Sequence, residues 1–558
     1  MVLHLLCRPA GRATAGPQEV AVCRIPASDR LRWFLLSAAA CTMLLAATNA
    51  ITMDIAAIPL LWILPLVIYL LCFVLTFKKS PWFPAVMQGS FSWAIIMGIL
   101  LVVMVQLHIS APWFVLVALH CAILFVVCLG CTGRLVQLKP SSSAGLTDFY
   151  VMIAVGGLAG TLVVSWIMPL VSSRLVEYPL ALILASAAYG LLAQPKKTVQ
   201  EEQRDAPVMA PGITIIELLC WMTFAAISLT LLPAMAGIWF GTDPGRINLV
   251  FALIALPISL GLRRMALTPL FGVVLLCTIA VASGWTEDLV AGSETVLRAR
   301  NYYGIYRVHD RAGMRFLQHG TTQHGREYAK KELSGLPLSY YHKTSPIGQL
   351  MSSGKFSTDD VGMIGLGTGA MAAYVDKGQS LTVFELDPKS LDVARSCFTF
   401  LTRAQKRGVN LSFVFGDGRI SLRNEPSGRY NVLIVDAFNS DSIPVHLFTT
   451  GAFEEYLRVL KPGGVLVLHV SNRIVNLIPV AYSNARSVGA FACDKNNPAL
   501  VQPEGADYSV WVAVTREPAV KEVLTQQLHW LSREYPAEAL PRPWTDQYSN
   551  VLDAMLRK

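Results

Sequence analysis

The feature that most constrains this chain is a series of apolar runs between Leu31 and Trp285. A membrane-spanning helix needs about 20 mostly apolar residues. The runs that meet or approach this are Leu31–Ile51, Ile55–Phe77, Phe91–Leu107, Pro112–Gly130, Phe149–Val171, Tyr178–Ala193, Ile213–Pro233, Asn248–Leu262 and Leu267–Trp285. The eighth is short and holds Pro257. From Glu287 onward the pattern changes to that of a globular enzyme. Over the 558 residues, apolar types make up 53% and charged types 15%, against roughly 25% charged in a typical soluble protein. The composition excludes a disordered chain, a disulfide-stapled mini-protein and a purely soluble enzyme. The expected organisation is a tail over 1–30, a polytopic α-helical membrane domain over 31–286 and a soluble α/β domain over 287–558.

Basic residues fall in alternate loops: Arg24, Arg30 and Arg32, then Lys78–Lys79, Arg134 and Lys139, Lys196–Lys197, and Arg263–Arg264. The positive-inside rule then places the N-terminus in the cytoplasm. Nine crossings would put the soluble half outside, so the eighth or ninth segment is expected to be re-entrant or interfacial. The expected location is the inner (plasma) membrane, multi-pass, with the soluble half cytoplasmic. The net charge of +9 is read as loop Lys and Arg; no basic run interleaved with aromatics points to nucleic acid. Met1–Cys7 is apolar but lacks the basic flank of a signal peptide. Gly156, Gly157 and Gly160 read as a helix-packing surface. Asp54, Asp148 and Glu177 read as interfacial charges at span ends, and no intramembrane carboxylate relay supports a pump. Of the 11 cysteines only Cys128 and Cys131 are spaced CxxC, without a second pair, so no metal is expected.

The soluble half alternates strands and turns. Tyr302–Val308, a turn Asp310–Gly313 and Met314–His319 read as a β-hairpin. Val361–Gly365 is a buried strand that runs into Gly365-Leu366-Gly367-Thr368-Gly369-Ala370, and Leu381–Glu385 is a strand ending in an acid 20 residues after Gly365. Glycines at this spacing let the backbone approach a ligand, and an acid at the next strand end can hold a ribose diol. Leu411–Phe415 leads into Gly416-Asp417-Gly418, and Asn431–Val435 ends at Asp436. Lys461-Pro462-Gly463-Gly464 reads as a turn into Val465–Val470. Acids at successive strand ends gather at the carboxyl edge of a parallel sheet. Glu385 is assigned to ribose, Asp417 to adenine and Asp436 to the reacting atoms, an order that fits an S-adenosylmethionine-type transferase better than a dehydrogenase.

Residues from about Arg300 to Arg473 resemble the spermidine synthase family, and the whole chain resembles its membrane-fused members. The strings that carry this are Ile58–Leu66, Leu146–Tyr150, Leu317–Gly325, Pro337–His342, the Gly365 loop, Asp436–Leu447 and His469–Arg473. The resemblance implies a Rossmann-like domain with a small N-terminal β-hairpin region, transferring the aminopropyl group of decarboxylated S-adenosylmethionine to an amine. It implies Asp436 as catalytic. Gly365, Gly367, Thr368, Gly369, Glu385, Asp417 and Gly418 would bind the donor, and Tyr341, His342, Asn439 and Asp441 the acceptor. Partners would be a small amine and membrane lipid, with a homodimer left open. The family's donor-loop aspartate is Thr368 here, its second acid after the catalytic one is Asn439, and a hairpin glutamine is replaced near Gly304. These departures keep two alternatives open: a methyltransferase using S-adenosylmethionine, and a transporter or sensor whose soluble domain binds a nucleoside or polyamine.

Overall fold

The computed structural model describes residues 25–52, 59–106, 112–189, 293–320, 322–437, 444–472, 475–497 and 503–556. The expected spans Ile213–Pro233, Asn248–Leu262 and Leu267–Trp285 lie outside the described residues, as do Asp54, Asn439 and Asp441.

Among the described residues of the first half there are seven helices: α1 (Ala27–Ala50), α2 (Pro59–Phe77), α3 (Ala85–Gln106), α4 (Trp113–Gln137), α5 (Ser143–Leu162), α6 (Met168–Val171) and α7 (Glu177–Ala187). A π-helical turn, Val163–Ile167, joins α5 to α6. Among the described residues, three helical stretches are long and apolar enough to cross a membrane: Ala27–Ala50, Phe114–Gln137 and Gly145–Val171. The glycines of α5 do what their spacing suggests. A Cβ at Gly156 would collide with the Phe34 carbonyl, and one at Gly160 would sit 2.6 Å from the Ala38 carbonyl. Close backbone approach lets Ser37 Oγ donate to the Ile153 carbonyl at 2.6 Å. Along α5, the π-helical turn and α6, Leu158, Trp166 and Leu170 are exposed. Small residues inside and large apolar ones outside is the reverse of a water-soluble helix, and suits a lipid surround. Cys128 and Cys131 are buried thiols, the former directed at the Ala40 carbonyl. Asp148 pairs with Arg30.

The described strands of the second half form two sheets. The expected hairpin is present, but as the centre of a four-stranded antiparallel sheet: β1 (Glu294–Asn301), β2 (Gly304–Arg311), β3 (Met314–His319) and β4 (Thr322–Tyr328). Its turn sits at Ala312-Gly313, both with positive φ, the backbone a tight hairpin requires.

The second sheet has seven strands in the order β10-β11-β9-β8-β5-β6-β7. They are β5 (Asp360–Ile364), β6 (Ser380–Glu385), β7 (Asn410–Phe415), β8 (Tyr430–Val435), β9 (Leu460–His469), β10 (Phe491–Asn496) and β11 (Val510–Thr515). The first five in chain order are mutually parallel, and β11 and β10 close the edge antiparallel. The parallel strands read as unbroken apolar runs because both faces are covered: Val432, Leu433, Ile434, Val465, Leu466 and Val467 are fully buried. The Lys461–Gly464 segment is not a turn ahead of the strand. It belongs to β9, where pairing jumps from Tyr430↔Leu460 to Val432↔Val465 and the extra residues bulge out.

The two halves are tied by a buried ion pair. Arg300 on β1 contacts Glu177 at the start of α7 and donates to the Arg174 carbonyl at 2.9 Å. Glu177, expected at an interface, is instead enclosed by protein. The next residue, Asn301, donates to Asp387 Oδ2 at 2.7 Å, just beyond the end of β6.

Candidate active site

Strand β5 lies between β6 and β8. Chain order reverses there, so the crevice beyond the carboxyl ends of β5 and β8 is where an open α/β sheet binds ligands. The Gly365 loop leaves β5 at this point. Gly365 has φ +92°, and a Cβ on it would run into the Asp436 carbonyl. Only glycine lets the loop cross the end of β8. Gly367, at φ +55°, passes 2.9 Å from the His324 carbonyl by the same measure, and Gly369 closes on Leu401. A short 3₁₀ turn, Ala370–Tyr374, follows.

Glu385 ends β6 beside this loop. Its carboxylate accepts from the backbone N–H of Leu366 and of Asp387, both at 3.0 Å, so it fixes the glycine loop. Burial raises its pKa, and those two N–H groups pull it back in part. Asp417 ends β7. Its Oδ1 caps Ile420 N at 2.9 Å and its Oδ2 meets His446 Nε2 at 2.8 Å. Gly418 is held tight, since a Cβ there would be 2.6 Å from Ile364. Thr368 is fully buried. Its Oγ1 has no hydrogen-bond partner among the described residues and lies against Gly325 of β4.

Asp436 is the most elaborately held acid. Its Oδ2 accepts from the Tyr341 hydroxyl and its Oδ1 lies 2.8 Å from His469 Nδ1. Burial alone would raise the carboxyl. The His469 ring and the Tyr341 hydroxyl outweigh it and leave the pKa below the ordinary carboxylate value. Tyr341 is pushed well up by burial and by the Asp436 charge. The His469 ring is sandwiched between Tyr340 and Trp511, with centroids 4.7 and 4.4 Å away. His324, from β4, is close by and is pushed down to about 4 by burial.

A cavity of about 770 Å³ opens beside this cluster, with Gln323, His324, Tyr340, His469, Ser471 and Asp507 on its wall. Asp507 accepts from Gln323 Nε2 at 3.1 Å and pairs with Arg326. The structure therefore brings together Gly365, Gly367, Thr368, Gly369, Glu385, Asp436 and Tyr341. His342 is not on the cavity wall: its Nδ1 is taken up locally by Thr344 Oγ1 at 2.9 Å. The sequence argument missed Asp387, His469 as a partner of Asp436, Ser471 and Asp507. The available signals were the adjacency of His469 and Ser471 to the end of a central strand and their place in the string His469–Arg473. No group of three or more metal-ligating side chains occurs among the described residues.

No family model matches the chain. It is 32% identical over 108 residues to spermidine synthase 1 of Hyoscyamus niger, covering 19% of this chain and 34% of that one. It is 30% identical over 88 residues to putrescine N-methyltransferase 4 of Nicotiana tabacum, covering 16% and 22%. The matches thus span about a third or less of these relatives' length. Among solved structures, spermidine synthase from Thermotoga maritima aligns at 14% identity with a TM-score of 0.31, over 44% of this chain and 82% of that one. Part of the second half of the chain is thus similar in sequence to spermidine synthases, and apolar helices precede it.

Proposed function

We propose that the protein is a membrane-anchored transferase that uses an S-adenosylmethionine-type donor. The favoured reaction is transfer of the aminopropyl group of decarboxylated S-adenosylmethionine to an amine. The observation that carries this is the position of Asp436: a buried carboxylate at the end of β8, directly across from the Gly365 loop at the sheet's switch point. The domain division at about residue 287, the multi-pass inner-membrane location and a cytoplasmic soluble half belong to the same proposal, supported by the three long apolar helices.

The crevice fits a nucleoside donor. The glycine loop packs its backbone against Asp436, His324 and Leu401 more closely than any side chain would allow, and Glu385 offers a carboxylate that two backbone N–H groups already orient. A diol would lie against it, as a ribose does on the acid of such sites. Asp417 stands at the adjoining strand end for the base. Asp436 and the Tyr341 hydroxyl face the place where an amine would attack the carbon next to sulfur. A carboxylate held there attracts a cationic amine and aligns its nitrogen, which is the larger part of catalysis for a displacement of this kind. The cavity beside His469 and Asp507 is the acceptor's place in this reading.

Methyl transfer is the second reading. Similarity to putrescine N-methyltransferases and the neutral residues Thr368 and Asn439 favour it. The two are separated by product. With each donor supplied in turn to the full-length protein and a panel of amines, aminopropyl transfer yields methylthioadenosine and methyl transfer yields S-adenosylhomocysteine. Formation of neither, with a nucleoside still bound, would overturn both in favour of a sensor.

A further inference from the structure

The hydrogen-bond chain that begins at Asp436 does not end there. Asp436 Oδ1 meets His469 Nδ1 at 2.8 Å, His469 Nε2 meets Ser471 Oγ at 2.8 Å, and Ser471 Oγ accepts from Val510 N at 2.8 Å. The cavity wall includes His469 and Ser471 but not Asp436, whose side chain is 6% exposed. Resting on the transferase reading above, we infer that the acceptor amine gives up its proton to His469 through Ser471, and that Asp436 is the carboxylate that orients and charges this relay rather than the final proton acceptor.

The network fixes the direction of each hydrogen. An ionised Asp436 can only accept, so Nδ1 carries a hydrogen and Nε2 of the neutral ring is a lone pair. Ser471 Oγ already accepts from Val510, which leaves its own hydrogen to point at Nε2. This is the arrangement of an acid, an imidazole and a hydroxyl in which the carboxylate selects the tautomer and stabilises the imidazolium that forms. The hydrogen bonds that Asp436 receives on both oxygens also leave it a weaker base than a free carboxylate. Stacking between Tyr340 and Trp511 holds the ring plane, so no reorganisation is needed when the charge appears.

The proton balance closes. An ammonium N–H proton passes to Ser471 Oγ as the serine hydroxyl proton moves to His469 Nε2. The freed nitrogen lone pair forms the new N–C bond, and the C–S bonding pair stays on sulfur, which turns from sulfonium to thioether. The imidazolium later returns its proton to solvent along the cavity. The titratable groups around the ring are Asp436 beyond the end of β8, Tyr340 and Tyr341 ahead of the helix Pro346–Ser352, His324 on β4 and Asp507 before β11, the last paired with Arg326.

The test is single-turnover transfer by full-length protein in lipid nanodiscs, saturated with donor, for His469→Gln, Ser471→Ala and His469→Gly, with methylthioadenosine binding as the control for folding. H469Q is expected to lower the transfer rate about 10²–10⁴-fold, the range for a positioned general base, with the acceptor KM within about threefold of wild type. The wild-type rate should reach a plateau at high pH, whereas H469Q should keep climbing as free amine accumulates. Added imidazole should restore part of the H469G rate, and S471A should fall about tenfold or more. Wild-type rate and plateau in H469Q, beside an active wild type, overturn this inference alone. A wild type that transfers nothing from either donor overturns the reading beneath it. If H469Q loses methylthioadenosine binding, S471A decides: an unchanged rate refutes the relay.

Discussion

The ion pair between Arg300 and Glu177 makes a sharp claim about how the two halves hold together. Both side chains are nearly inaccessible, 3% and 2% exposed. Removing one member of such a pair leaves a buried charge without a partner, at about 3–5 kcal/mol, while replacing both with apolar residues is often neutral or stabilising. The two single changes should not cost the same. Glu177→Leu strands a guanidinium that cannot lose its proton, with the Arg174 carbonyl at 2.9 Å its one remaining partner among the described residues, so the full 3–5 kcal/mol is expected at every pH. Arg300→Met strands a carboxylate, which can escape by taking up a proton at about 1.4 kcal/mol per pH unit above the ordinary carboxylate range. Its penalty should therefore shrink as pH falls from 7 toward 5. The double variant E177L/R300M should lie within about 1 kcal/mol of wild type. Hydrogen exchange of the β1 amides in nanodisc-embedded protein reports this opening directly. Single penalties below about 1 kcal/mol, or a double variant as damaged as the sum of the singles, would refute the reasoning.

Gly365→Ala places a Cβ against the Asp436 carbonyl at φ +92°. With backbone strain of about 1–3 kcal/mol for such a residue, methylthioadenosine affinity by calorimetry should fall about 5- to 150-fold. Glu385→Gln can keep only one of the two backbone N–H bonds at 3.0 Å. At about 1.5–3 kcal/mol for a bond to a charged group, nucleoside affinity should drop roughly 10–100-fold in a protein of near-normal melting temperature. His324 is held neutral by burial, down to about 4. Between that value and the ordinary 6.5, the unfolded chain binds a proton that the folded one refuses. Its contribution is therefore complete above about 6.5 and is lost as pH falls toward 4, by roughly 3 kcal/mol. Thermal melts should show His324→Gln losing less stability than wild type over that interval, and parallel curves would contradict the assignment.

The parallel strands were legible because they are short β-branched runs closed by glycine or an acid, and β5 to β8 match expectation within a residue or two at either end. Strand β4 was not. Thr322–Tyr328 is polar throughout and mostly half-buried, so nothing in it alternates. It forms because β3 offers an open edge and because Gly325 must pass close to Thr368. The β9 bulge was missed for a related reason. Lys-Pro-Gly-Gly is turn chemistry in any local reading, and only the pairing of Leu460 with Tyr430 keeps it within the strand. Gly156 and Gly160 were legible because close helix approach needs small residues whatever the partner is.

The site divides along the same line. Acids at strand ends can be counted in a sequence, and Glu385, Asp417 and Asp436 were all found that way. What each acid faces cannot be counted, because the partner comes from a distant part of the chain. Asp436 meets His469, Asp417 meets His446, and Asp507 meets Arg326 from another sheet. Each pairing changes the chemistry of its acid. An unpartnered carboxylate keeps both oxygens open to a cation; one hydrogen-bonded to an imidazole has an oxygen already engaged, and one held by a guanidinium has its charge largely balanced. A count of acids therefore overstates the negative charge free to meet an acceptor in the described part of the crevice. Its working character is set by the histidines and the arginine that fold against those acids, and by a serine whose only mark in the sequence was its place two residues beyond His469.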